Sequence, residues 1–175
     1  MKQLILATTL VLPFAATGAL AAGGGEETAP EKPKCKTGEI YDKKTKTCVQ
    51  AEESNLDVDS LYENVRELAY AGRYVDAQVV LAQMPAQDDR TLTYLGFTNR
   101  KLGKIDVAMD YYAKALRVNP ANVLARSYMG QGLVEQGKMQ EAMAQLREIR
   151  AQGGSGTWAE ASLRTAIATG KTFDY

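Results

Sequence analysis

The chain has 175 residues, with 21 basic and 21 acidic side chains and therefore no formal net charge. No broad positive field is available for a nucleic-acid backbone. Histidine is absent, which removes histidine-based acid–base and nucleophilic catalysis and ordinary zinc centres.

The chain opens with Lys2 and an almost wholly apolar run from Leu4 to Leu20, interrupted by Pro13 and ending in Ala19-Leu20-Ala21. A short charged start, an apolar centre and small residues at the end predict a secretory signal over 1–21, with the mature chain starting at Ala22. An uncleaved anchor is the competing reading, although the run is just short of a comfortable span and holds a proline. No cysteine stands directly after it, so lipid attachment is not expected. After cleavage the chain is expected to be periplasmic or secreted and to make no membrane contact. Residues 22–34 are rich in glycine, proline and charge and read as a flexible linker.

Cys35 and Cys48 are the only cysteines, and in an oxidising compartment an even pair predicts a disulfide. Strands are expected at Glu39-Ile40-Tyr41 and Lys46-Thr47, around Asp42-Lys43-Lys44-Thr45, giving a stapled hairpin over 35–49. Six lysines stand against three acids between Glu31 and Gln50, either as a solvated basic face or as a contact for an anionic surface. The stretch Cys35-Lys-Thr-Gly38-Glu-Ile-Tyr41-Asp42 through Cys48 resembles the central segment of peritrophin-type chitin-binding domains. That resemblance implies a glycan contact, although the family's other four cysteines are absent. A structural or partner-docking hairpin is the alternative.

Residues 50–57 form an acidic connector, and Ser60-Leu-Tyr-Glu63 reads as a capping box opening the first long helix. Asp57 and Asp59 begin like a calcium loop, but no glycine or terminal glutamate follows at the required spacing, so they read as helix-start acids.

One pattern then recurs: Gly72-Arg-Tyr-Val-Asp-Ala77 with Leu81, Gly103-Lys-Ile-Asp-Val-Ala108 with Tyr112, and Gly137-Lys-Met-Gln-Glu-Ala142 with Leu146. A period near 34 with a helix on each side of a glycine marks a stack of helical hairpins. The glycine closes the turn, the alanine allows close approach, and the large apolar residue fills the gap. The units run 58–88, 89–122 and 123–156. The middle one resembles a tetratricopeptide repeat through Leu92, Leu95, Gly96, Gly103, Ala108, Tyr112, Ala115 and Pro120, with Asn99 where that family usually has an aromatic. The third resembles it through Met129, Gly130, Leu133, Gly137, Ala142 and Leu146, with Gly154 in place of the closing proline. The first carries Leu61, Leu68, Gly72, Ala77 and Leu81, has Val65 in place of a small residue, and is short, so its second helix should end early, near Pro85.

An exposed apolar end calls for a cap. After Gly153-Gly154-Ser155-Gly156, Thr157-Trp158-Ala159-Glu160 reads as a capping box for a helix running to Thr169 and stopping at Gly170. Trp158 is expected to pack against the last hairpin. The cap spans 157–170 and a tail 171–175.

The fold class is therefore all-α, a right-handed α-solenoid of three tetratricopeptide-like hairpins with a C-terminal capping helix and a small disulfide-stapled β-hairpin at the N-terminal side. Placed by the resemblance, the concave face takes Tyr62, Arg66 and Tyr70, then Thr93, Phe97, Arg100 and Lys101, then Ser127, Gln131 and Glu135. Such a groove suits a peptide with apolar and acidic residues. Gly132-Leu-Val-Glu-Gln-Gly137-Lys138 approaches a phosphate-binding loop, but Met139 stands where Ser or Thr must meet magnesium. Gly170-Lys171-Thr172 lacks the earlier glycine of such a loop. No catalytic, cofactor-binding or metal-ligating set is expected. Two function classes follow: a non-enzymatic exported scaffold that binds a protein or peptide in the repeat groove, or a wall or polysaccharide adaptor acting through the Cys35–Cys48 hairpin.

Overall fold

The computed structural model describes residues 34–173. The expected signal segment and nearly all of the linker lie outside the described residues, as do the last two residues of the tail. Strands β1 (Glu39–Asp42) and β2 (Thr47–Gln50) lead through a single 3-10 turn, Ala51–Glu53, into seven helices. These are α1 (Val58–Tyr70), α2 (Tyr74–Leu81), α3 (Asp89–Lys101), α4 (Ile105–Val118), α5 (Val123–Glu135), α6 (Met139–Ala151) and α7 (Trp158–Thr169). Helices α1/α2, α3/α4 and α5/α6 are the three tetratricopeptide-like hairpins, and α7 closes the stack. No helix among the described residues is long and apolar enough to cross a membrane.

Local chemistry distinguishes the two helices of each hairpin. The first always starts on a side-chain cap, which satisfies backbone amides left open in the first turn. Asp57 accepts from the Ser60 amide, Asp88 from those of Arg90 and Thr91, and Asn122 from that of Ala125. Helix α7 starts the same way on Thr157. The second helix has no side-chain cap in any hairpin, because the chain enters it directly from the glycine turn. Gly72, Gly103 and Gly137 have φ of 73°, 78° and 73°. In each turn the residue after the glycine donates to a carbonyl near the end of the preceding helix: Arg73 to Leu68, Lys104 to Asn99, and Lys138 to Leu133. This is the Schellman closure that a left-handed residue makes possible.

Two expected caps are corrected. The first helix begins at Val58 on Asp57, so Ser60 donates its amide to the cap instead of serving as one. At Thr157 only half of the box forms. Glu160 does not reach back to Thr157; its carboxylate accepts from the Gly156 amide (2.8 Å) and from Arg150 Nε (2.7 Å). Those two partners hold the Glu160 carboxyl below its ordinary value.

Ala77, Ala108 and Ala142 are fully buried, as the close approach of paired helices requires. Gly96 lies against the Tyr112 ring, where a Cβ would come within 2.4 Å of a ring carbon. Leu146 stays only partly buried, and Ile149, one turn further along α6, is the fully buried residue instead. Helix α2 ends at Leu81, and Met84, buried beyond it, completes the first hairpin before Pro85.

The N-terminal β-hairpin is an integral part of this stack. The strands pair antiparallel with Ile40 opposite Val49 and Tyr41 opposite Cys48, and the Cys35–Cys48 bridge is formed. The second strand starts one residue later than expected and reaches Gln50, because Lys46 takes a left-handed conformation (φ 57°) and belongs to the turn. Ile40 and Ala51 are buried in the same apolar cluster as Leu61, Leu68, Ala77 and Phe97. Arg73 of the first turn donates to the carbonyls of Cys35 (2.8 Å) and Lys36 (3.0 Å). The hairpin thus covers the open end of the first repeat, as α7 covers the last.

The aromatic cleft

One aromatic ring per hairpin lines up along the first helices. Tyr62 on α1 meets Tyr94 on α3 edge-on at 5.6 Å, Tyr94 meets Tyr128 on α5 at 6.2 Å, and Tyr128 meets Trp158 of α7 at 6.1 Å. Edge-to-face pairs of this kind add about 0.5–1.5 kcal/mol each beyond the area they bury. Tyr62 and Tyr94 are 32 residues apart and Tyr94 and Tyr128 are 34 apart, so the repeat itself generates the ladder. Tyr94 and Tyr128 are buried, while Trp158 is 42 % exposed.

Beside the ladder lies an open cleft of about 350 Å³ lined by Tyr62, Arg66, Tyr70, Tyr94, Leu124 and Trp158. Arg66 is its cation. The guanidinium donates from Nε (3.2 Å) and Nη2 (3.1 Å) to the Tyr70 hydroxyl, and lies over the rings of Tyr70 and Tyr62 at 5.5 and 5.9 Å. Arg90 also lies over the Tyr62 ring, at 5.0 Å, held by Asp59 and Asp88. Burial raises the hydroxyls of Tyr62 and Tyr94 above the ordinary tyrosine value, so both stay neutral donors at physiological pH. The site therefore offers ring faces, neutral hydroxyls and cationic planes, a chemistry that suits apolar side chains and carboxylates.

Of the groove positions expected from the sequence, Tyr62, Arg66 and Tyr70 come together in this cleft. Four others, expected to line an open groove, are buried in the structure. Phe97 is fully buried between Tyr74 and Tyr128. Thr93 donates to the Asp89 carbonyl and accepts from Asn122 Nδ2, tying α3 to the start of α5. Ser127 is buried against Ser162 of α7, and Gln131 lies beside it. The next helix in the stack packs over Phe97, Thr93 and Ser127, while Gln131 is also covered by the tail, whose Phe173 amide donates to its Oε1. Arg100 is also buried, its side chain 1 % exposed, and pairs through Nη1 with Glu135, whose side chain is 30 % exposed. Its Nε and Nη2 have no hydrogen-bond partner among the described residues. Lys101 is half-buried with its ammonium 5.8 Å from the Phe97 ring, and burial, followed by the charge of Arg100, lowers it to about 8.

Sequence reasoning missed Tyr94, Leu124 and the wall role of Trp158. Tyr94 was legible as the repeat-spaced partner of Tyr62. Trp158, expected to pack, does touch Tyr128 but also presents an exposed face to the cleft. Among the described residues no cluster of histidine, cysteine, aspartate or glutamate could hold a metal ion.

No protein-family model matches the chain, and no curated protein matches it. Solved structures do share its fold. The type III secretion translocator chaperone SycD of Yersinia enterocolitica, in an alternative dimer, superposes with a TM-score of 0.54 at 19 % identity over 64 % of this chain and 86 % of that one. A second structure of the same chaperone gives a TM-score of 0.54 at 17 % identity, covering 65 % and 85 % of the two chains. A third, in complex with a peptide of the translocator YopD, gives 0.52 at 19 % identity over 63 % and 86 %. At this identity the likeness concerns the fold, a tetratricopeptide-like helical stack.

Proposed function

We propose that this chain is a non-enzymatic, exported scaffold that captures a protein segment in the concave cleft. The observation that carries the reading is the open cleft walled by Tyr62, Tyr70 and Trp158, with Arg66 and Arg90 set over the Tyr62 ring and the buried Tyr94 and Tyr128 rings backing it. Rigid rings and planar cations are the side chains from which interfaces draw most of their energy. A guest with aromatic or aliphatic anchors and flanking carboxylates fits that wall. The solved relative in complex with a translocator peptide supports a peptide as the guest. Export to the periplasm or beyond is the reading of residues 1–21, and the Cys35–Cys48 bridge agrees with an oxidising compartment.

The test is a peptide array probed with the full chain and with Arg66→Ala/Tyr70→Ala. Selected sequences should be apolar and acidic, and the double variant should bind them at least about ten-fold more weakly with unchanged helicity. Equal binding by the variant overturns the cleft as the contact. Cell fractionation with sequencing of the mature N-terminus checks the address; a chain that retains residue 1 and stays in the cytosol overturns it.

A further inference from the structure

Beyond the cleft, the first helix of the third hairpin already holds an occupant. Gly170 ends α7 in a left-handed conformation (φ 72°), its amide donating to the Ala166 carbonyl. The chain is thereby turned back along the stack. Thr172 Oγ1 then donates to Glu135 Oε1 (2.7 Å), and the Phe173 amide donates to Gln131 Oε1 (3.1 Å). One step along the tail moves the contact four residues toward the start of α5, so the tail runs antiparallel to that helix. The Phe173 ring meets Trp158 edge-on at 6.4 Å, and Trp158 is also a wall of the aromatic cleft. The ladder of one ring per hairpin thus receives its last ring from a segment that is neither helix nor strand.

The acceptors on α5 are preformed. Glu135 Oε1 takes a hydrogen bond from Arg100 Nη1 as well as from Thr172, so a buried guanidinium holds the carboxylate in place with or without the tail. Gln131 is fully buried, with its Nε2 directed to Ser127 Oγ and its Oε1 turned to the tail amide. A fixed carboxylate, a fixed amide oxygen and an indole make a subsite for an extended pair of residues, a hydroxyl side chain followed by an aromatic one.

We propose that Lys171–Phe173 is a resident strap filling this subsite, and that a partner segment of the same hydroxyl–aromatic chemistry enters by displacing it. The proposal rests on the concave face being the binding surface and adds how access to it is regulated. A tethered segment competes at an effective concentration in the millimolar range, so the strap sets a threshold that an incoming segment must exceed.

The test uses the full chain, its exposed-tail variant Thr172→Ala/Phe173→Ala, and a labelled synthetic hexapeptide with the sequence of residues 170–175. Trp158 is the single tryptophan, so its emission reports the site directly. In the double variant the emission should move to longer wavelength, and added hexapeptide should reverse the shift, whereas a hexapeptide with alanine for phenylalanine should not. The labelled peptide should bind the wild-type chain at least about ten-fold more weakly than the variant. Unchanged emission, absence of peptide binding to the variant, or equal affinities overturns the strap. Because the probe is the chain's own tail, this outcome stands apart from the Arg66/Tyr70 array, which tests the cleft itself.

Discussion

Asn64 on α1 treats Tyr41 as a neighbouring strand would. The Tyr41 amide donates to Asn64 Oδ1 at 3.0 Å, and Asn64 Nδ2 donates back to the Tyr41 carbonyl at 3.1 Å. A side-chain amide thus satisfies both backbone groups of Tyr41 and welds the hairpin to the first repeat.

Replacing Asn64 with leucine leaves that amide and carbonyl unpartnered in a partly buried place. The expected cost is about 1–3 kcal/mol, which is a fall of several degrees in melting temperature for a chain of this size. Hydrogen exchange at the Tyr41 amide should accelerate first. If that amide keeps its protection, the weld lies elsewhere.

Reduction of the Cys35–Cys48 bridge, or Cys35→Ser with Cys48→Ser, should loosen the same end of the stack. The bridge spans 13 residues of sequence, and closing a loop of that size contributes about 3 kcal/mol in the chain-entropy view. Because Ile40 shares the repeat core, the loss should appear as a lower melting temperature of the helices, read by circular dichroism. A helical transition indifferent to reductant would show that the hairpin is not part of the cooperative unit.

Gly130 faces Leu163 of the cap, where a Cβ would come within 2.5 Å of the leucine Cδ2. Gly130→Ala should cost about 1–3 kcal/mol through overpacking. Leu163→Ala alone should cost about 2–5 kcal/mol through the void it leaves. Combined, the two should cost clearly less than their sum, since each relieves the other. Additive losses in urea unfolding would mean that α7 does not sit on α5 as described.

Stability should depend on alkaline pH in two opposed ways. Lys101 is lowered to about 8, so between about pH 8 and its ordinary value the unfolded chain holds a proton that the folded chain has released, and stability rises with pH. The hydroxyls of Tyr62, Tyr94 and Tyr112 are raised by burial, so above about pH 10 the unfolded chain loses protons the folded chain keeps, and stability falls. Melting temperature should therefore climb from about pH 8 and drop beyond about pH 10. Lys101→Met should remove the rising limb; a rise that survives that substitution would assign it to another group.

The division between what was legible in the chain and what was not follows the range of the interactions. Turn glycines, paired alanines and the stop at Gly170 act within one or two helical turns, and a left-handed residue or a missing side chain has the same local meaning in any fold. They determined the three hairpins, the cap and the all-helical class. The Tyr62–Tyr94–Tyr128 series was also readable, at repeat spacing, once the period was known. Register across the stack was not. Whether Ser127 and Gln131 faced solvent depended on α7 and the tail closing over them, and whether Arg100 lined a groove depended on Glu135, 35 residues away, meeting its guanidinium. Short-range backbone preference thus set the elements, while the burial that separates a groove wall from a core residue was decided only when the next layer packed against it.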